Sequence, residues 1–212
     1  AWIELQEKKK AQKTEQPATI TISREFGCEG YPLAEALKAG FEKKTGEEWT
    51  IFDDALITTI QKEKDYSRHL LKTYGERSKF LDDLVDMISP SWRSEEDAFR
   101  DLAETIFSIA HAGHAIIVGR GAFAITKDLP GCYHIRLRAP LSFRASSLSE
   151  RLGIPKDEAL QMAQKKEEER TQFLKRFLNC EFNTENFHVV FDNSRAPIAH
   201  IAQTFIDFVG RV

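Results

Sequence analysis

Apolar positions along this chain switch between two periods, and that switching predicts a fold of alternating strands and helices. Ala18 to Ser23 reads Ala-Thr-Ile-Thr-Ile-Ser, a run of β-branched residues suited to a short strand. Gly27 and Gly30 follow at once; Leu33, Ala34, Leu37 and Phe41 then recur at helical spacing up to Gly46. Trp49 to Phe52 predicts a second short strand, and Asp53 to Met87 a polar, charge-rich helical stretch. Ser94-Glu95-Glu96-Asp97 is a capping-box signature. It opens a helix whose inner face carries Phe99, Leu102, Ala103, Ile106, Phe107 and Ala110. His114 to Val118 is a nearly continuous apolar run, as for a strand buried on both faces. Cys132 to Arg138 alternates like a strand, Lys156 to Leu178 is a long helical stretch, and Val189 to Phe191 is the last strand. The closing helix sets Ile198, Ile201, Ala202, Phe205, Ile206 and Val209 on one face.

Strands alternating with helices imply βαβ units, a mainly parallel sheet and right-handed crossovers. Ligands of such sheets bind beyond the carboxyl ends of the strands, so the residues just after each strand are the ones to search. A length of 212 residues fits one α/β domain, at 18–212, with a small inserted subdomain. Residues 1–17 form a charged arm that includes Lys8-Lys9-Lys10, a candidate for docking a partner, and ends at Pro17. The formal charge of −3 gives no global electrostatic reason to expect a DNA or RNA duplex or an anionic membrane as partner. Cys28, Cys132 and Cys180 are far apart, with no Cys-x-x-Cys pair. That pattern suits a reducing compartment and argues against a disulfide framework or a zinc site. No apolar stretch approaches a membrane span and no signal-peptide core is visible, so a cytoplasmic location is expected. The histidines show no metal-ligand or triad arrangement, and His111 and His114 read as structural.

Polar residues do follow the strands. After the first comes Ser23-Arg24-Glu25-Phe26-Gly27-Cys28-Glu29-Gly30, whose glycines let backbone N–H groups and the next helix N-terminus face an anion. Arg24 can add a charge-assisted contact; a tight βα turn without ligand reads equally well. It is not a Walker A sequence, because Tyr31 and Pro32 stand where that motif has Lys and Ser or Thr. Gly119-Arg120-Gly121-Ala122 follows the third strand and sets an arginine between glycines at the cleft, or on the surface. Arg144 and Arg151 follow the fourth. Glu167 and Arg170, at i and i+3, share one face of the long helix, a pattern that is usually a solvated surface. Asp192-Asn193-Ser194 follows the last strand, as a turn or a helix cap.

Together these blocks resemble the cytidylate kinase-like family, a branch of the nucleoside-monophosphate kinases. The family's Ser-Arg-Glu-Phe/Tyr-Gly-Ser-Gly-Gly-Arg opening is similar to Ser23 through Tyr31. Similar blocks follow in order: Ile51-Phe52-Asp53-Asp54-Ala55-Leu56-Ile57, Ile117-Val118-Gly119-Arg120-Gly121-Ala122, and Ala139-Pro140-Leu141-Ser142-Phe143-Arg144. Glu167-Glu168-Glu169-Arg170 and Phe191-Asp192-Asn193-Ser194 complete the set. The resemblance spans about Thr19 to Val209. It implies a three-layer P-loop kinase fold with a five-stranded parallel sheet, a helical monophosphate-binding insertion at about 53–90 and a helical lid at about 154–179. It implies transfer of the γ-phosphoryl group of ATP to a nucleoside monophosphate, CMP or dCMP first, with Mg²⁺ bridging the ATP phosphates. Arg24, Gly27, Cys28, Gly30 and Tyr31 would surround ATP, the loop amides holding its β-phosphate. Asp53, Arg77, Arg120 and Arg144 would surround the monophosphate, with Tyr74, Arg77 and Asp82 as candidate base contacts. Arg120, Arg170 and Glu167 would be the catalytic set, with no metal ligand among the side chains.

The chain departs from the family pattern in the loop itself. Glu29 replaces a glycine, Tyr31 replaces the basic residue, and Pro32 offers neither a hydroxyl for Mg²⁺ nor an N–H for phosphate. A like-charge pair at ~4 Å and an effective dielectric near ~20 costs about 4 kcal/mol, so phosphate binding requires Glu29 to point away. Two readings follow: a kinase, or a non-catalytic sensor or interaction module that retains the fold with a degenerate loop.

Overall fold

Alternation of isoleucine with hydroxyl residues makes β1 (Thr19–Arg24) the central strand of the sheet. The structure, a computed structural model, describes residues 17–62 and 95–210. The basic arm and most of the expected insertion, with Tyr74, Arg77 and Asp82, lie outside those residues. The other strands are β2 (Thr50–Phe52), β3 (Ala115–Val118), β4 (Cys132–Arg138) and β5 (Val189–Asp192), in the parallel order β2-β3-β1-β4-β5. Ile22 lies opposite Val118 and Ile135, which brings the carboxyl ends of the three central strands to one edge.

One face of the sheet is covered by α1 (Gly30–Thr45) and α7 (Ile198–Val209). Ile20, Ile22, Leu37, Phe41, Ile116, Ile135, Leu137 and Phe205 meet there in one buried cluster. The other face is covered by α2 (Asp54–Lys62), α3 (Glu95–Ala112) and α4 (Ala122–Ile125), around Ile57, Ile106, Ile117 and Ile125. Beyond β4 lie α5 (Leu141–Leu152) and α6 (Lys156–Leu178), then a 3₁₀ turn (Thr184–Asn186). Helix α6 occupies the expected lid and ends at Asn179 in the left-handed conformation. Arg144 and Arg151 do follow the fourth strand, on α5. One expectation needs correcting: Asp192-Asn193-Ser194 is a turn but not a helix cap. Asp192 Oδ1 accepts from the Ser194 N–H and hydroxyl at 2.9 and 2.6 Å, while α7 begins later, behind Pro197.

The threonines of β1 point away from the isoleucine face and are buried, so their hydroxyls need partners. The Thr19 hydroxyl donates to Ala110 O at 3.0 Å, and Thr21 Oγ1 lies 2.8 Å from Nδ1 of the buried His134. Nδ1 of His188 accepts from the His134 N–H at 2.9 Å, and the two imidazoles lie 5.1 Å apart. Burial first, and His188 second, push His134 down to about 4 from its ordinary 6.5. The unfolded chain therefore takes up a proton between pH 6.5 and about 4 that the native chain refuses, so stability falls as pH falls through that window. The loss is expected to be on the order of 3 kcal/mol. Denaturant unfolding at neutral and acid pH, with His134→Gln alongside, checks it. An equal acid slope in both proteins would remove His134 as the cause.

Candidate functional site

The loop between β1 and α1 is folded onto itself and clamped by both later layers. Gly27 takes φ 103°, and a Cβ there would lie 2.7 Å from Cβ of Arg144, so no side chain fits between loop and α5. Cys28 N–H donates to Glu25 O at 3.1 Å. Glu29, at φ −85° and ψ 56°, is the centre of an inverse γ-turn that returns the Gly30 N–H to Cys28 O at 3.0 Å. The Phe26 N–H donates to Glu167 Oε2 of α6 at 3.0 Å, and the Glu29 N–H to Asn193 Oδ1 at 2.8 Å. Asn193 Nδ2 donates in return to Glu29 Oε2 at 3.0 Å, which holds the Glu29 carboxylate against the end of β5.

The loop carbonyls are held by arginines. Arg170 Nη1 donates to Arg24 O at 3.0 Å, Arg144 Nη1 to Phe26 O at 3.2 Å and Arg151 Nη2 to Gly27 O at 3.1 Å. Arg144 also donates from Nε to Ala139 O at 3.0 Å and lies 3.4 Å from Glu25. It sits behind the loop, braced against the backbone. Arg136 of β4 fills the space beneath. It lies 3.9 and 3.8 Å from Glu25 and Glu167 carboxylate oxygens, with its guanidinium carbon 4.0 Å from the centre of the Phe182 ring.

In front of the loop, at the carboxyl ends of β1 and β3, is a cavity of about 410 Å³. Arg24, Arg120 and Arg170 reach into it beside Ser23, Asp54 and Glu169, and Phe26, Phe123, Phe173 and Phe182 wall it. Gly119, Arg120 and Gly121 stand at φ 84°, 58° and 69°, successive left-handed residues of which only Arg120 carries a Cβ. A side chain at Gly119 would strike the Arg24 guanidinium, so the glycine admits Arg24 to the cavity. Arg120 pairs with Asp54, and its Nη2 donates to Thr58 Oγ1 at 3.2 Å, while its buried Nε has no partner. Burial first, and Arg170 second, lower Arg24 from its ordinary value to about 10, Glu167 opposing and Arg120 adding to the fall. Burial also lowers Arg120 and Arg170, Glu167 opposing it at Arg170. Guanidiniums gathered in a part-buried cavity can receive an anion, here in competition with Asp54 at Arg120 and Glu167 at Arg170.

Of the residues expected from sequence, Arg24, Arg120 and Arg170 share this cavity. Glu167 stands at the loop, 3.9 Å from Arg170. Gly27 and Gly30 shape the loop. Cys28 is buried, its thiol pushed up to about 12 by burial first and Glu25 next, so only its backbone is available. Tyr31 is 48% exposed and does not line the cavity. Asp53 caps α2 through Oδ1, which accepts the Leu56 N–H at 2.9 Å; its neighbour Asp54 is the residue that meets Arg120. Arg136 and Asn193 were not singled out as site residues. The alternation of β4, which sets Arg136 opposite Ser23, was the available signal for the first.

A parallel sheet of this order, a glycine loop after its central strand and a helix closing over that loop define a P-loop-kinase-type α/β protein. The sequence model of the cytidylate kinase-like family matches residues 19–195, and the chain belongs to that family. No curated protein matches the chain in sequence. The crystal structure of an uncharacterized protein from Eubacterium ventriosum is similar at TM-score 0.71 and 17% identity, over 91% of this chain and 97% of that one. This likeness concerns the fold alone. Shikimate kinase from Bacteroides thetaiotaomicron is matched at TM-score 0.47 and 12% identity, over 91% and 98% of the two chains.

Family membership and fold support a nucleotide kinase-like function. The residues present do not fit a protein-held Mg²⁺. Tyr31 and Pro32 follow the loop glycine where a hydroxyl ligand is needed, and no cluster of His, Cys, Asp or Glu among the described residues has metal-holding geometry.

Proposed function

We propose that this protein binds a nucleoside monophosphate, CMP or dCMP first, with the phosphate held by Arg24, Arg120 and Arg170. The convergence of these guanidiniums on one cavity, with the buried Nε of Arg120 lacking any partner, carries this reading. Bidentate arginine contacts suit phosphate oxygens, and a dianionic monoester offsets the mutual repulsion that lowers Arg24. The aromatic walls, Phe26, Phe123, Phe173 and Phe182, offer apolar surface to the nucleoside.

Phosphoryl transfer from ATP is the second reading, and the position of Glu167 and Arg170 on the lid helix favours it. Both already touch the loop, where Arg170 can neutralise charge on a transferring group and Glu167 can orient Arg170. Against it stands the loop, whose Phe26, Cys28, Glu29 and Gly30 amides are all bonded within the chain.

Calorimetric titration and thermal melting with CMP, dCMP, UMP, AMP and GMP, beside a coupled assay for ADP formation, test both. CMP or dCMP at ~100 times its Kd is expected to stabilise the native state by about 2.7 kcal/mol. No binding of any monophosphate at millimolar concentration would end the first reading. Turnover dependent on both ATP and CMP would promote the second.

A further inference from the structure

We infer that the clasp between Glu29 and Asn193 acts as a specificity device: it stands where a donor phosphate would sit and closes the protein to nucleoside triphosphates. This deepens the proposed reading, on which it rests for what the protein does bind. A donor's β-phosphate needs free, convergent N–H groups at the loop and the first turn of α1. In this chain the Glu29 N–H is spent on Asn193 Oδ1 at 2.8 Å and the Gly30 N–H on Cys28 O at 3.0 Å. Asn193 is buried, 4% exposed, at the end of β5, so its side-chain amide is a fixed partner, not a mobile one.

The turn at Glu29 explains how the family's glycine could be lost. At φ −85° the backbone is open to any residue, and the γ-turn turns the Gly30 amide inward. Once it does, a side chain at position 29 gains a partner across 164 residues, the Asn193 Nδ2 donor at 3.0 Å. The reciprocal pair uses both polar atoms of the Asn193 amide and one carboxylate oxygen of Glu29. An incoming phosphate must break both hydrogen bonds and then face the released carboxylate.

The test is direct binding of a non-hydrolysable ATP analogue and of CMP to wild type, Glu29→Gly and Glu29→Gln, each checked for folding by circular dichroism. Glu29→Gly removes the charge and the side-chain half of the clasp, leaving only the backbone N–H of residue 29 on Asn193 Oδ1; Glu29→Gln removes the charge but leaves an oxygen for Asn193 Nδ2. Wild type and Glu29→Gln are expected to bind the analogue weakly. Glu29→Gly is expected to bind it at least about tenfold more tightly, as neither the carboxylate nor the Asn193 Nδ2 hydrogen bond any longer opposes phosphate. CMP affinity is expected to stay the same throughout. Three outcomes would overturn the clasp: wild type binding the analogue at about 100 µM or better, folded Glu29→Gly showing no gain, or Glu29→Gln gaining as much as Glu29→Gly. The last assigns exclusion to charge alone. Failure of CMP to bind any variant, with the analogue pattern intact, would remove the monophosphate reading and leave the clasp standing.

Discussion

Arg24→Met is expected to lose nucleoside-monophosphate binding by about 10- to 100-fold, since charge-assisted hydrogen bonds contribute about 1.5–3 kcal/mol each. The same change is expected to raise the melting temperature of the unliganded protein. Arg24 is lowered to about 10 by burial first and by Arg170 next, so the native state disfavours its positive charge relative to the unfolded chain. The sign follows. A base whose folded value is depressed destabilises the fold at every pH below that value, and the penalty disappears only as pH rises from about 10 towards the ordinary arginine value. At neutral pH it is fully present. Methionine keeps the unbranched stem that lies against Gly30 but removes the guanidinium that lies against Gly119. Melting without ligand and titration with CMP, in one buffer, read the two effects separately. A variant that is less stable and still binds CMP would place Arg24 among structural arginines instead.

That opposition of stability and binding also shows what sequence can and cannot reveal about a site. Arg120 was legible because glycines flank it after a buried strand, and the structure explains the flanks: three successive left-handed residues and an Arg24 guanidinium against Gly119. Glu29 was legible only as a conflict, an anion beside an expected phosphate. The resolution lay in Asn193, far along the chain, and no periodicity connects the two. Arg144 was legible as a cation after a strand, but its commitment to Phe26 O and Ala139 O depends on how α5 lies across the loop. That helix was itself unreadable, because only Ala145 and Leu148 of its residues are buried and a two-residue stripe sets no period. By contrast β4 and α7 have the bounds their patterns suggest, since each carries a sustained period over its length, while α6 has the expected bounds with only Ala159, Ala163 and Leu174 buried. Elements followed from local pattern; the aim of each side chain was a tertiary matter.

Trp49→Ala is expected to cost about 3–5 kcal/mol of stability, a large part of the ~5–15 kcal/mol typical of a domain. Trp49 is fully buried where α1 turns into β2, its ring stacked on Phe41 at 4.6 Å and meeting His114 edge-on at 5.5 Å. Its backbone N–H donates to Glu42 Oε1 at 3.0 Å, a tie at the exit of α1 that alanine and phenylalanine both keep. Alanine would leave a cavity between that helix and the amino ends of β2 and β3, with no mobile neighbour to fill it. Phenylalanine should behave differently. The indole Nε1 is buried without a partner, which costs ~1–3 kcal/mol, and Phe removes that donor while keeping the stack. Trp49→Phe is therefore expected to lose under about 1.5 kcal/mol. Because parallel strands set this corner at the edge opposite the arginine cavity, the folded fraction of either variant should bind CMP as wild type does. Equilibrium unfolding in urea gives the two losses, and titration gives the affinity. Equal losses for Ala and Phe would mean that the ring stack kept by Phe contributes nothing at this corner, and that α1 is anchored elsewhere.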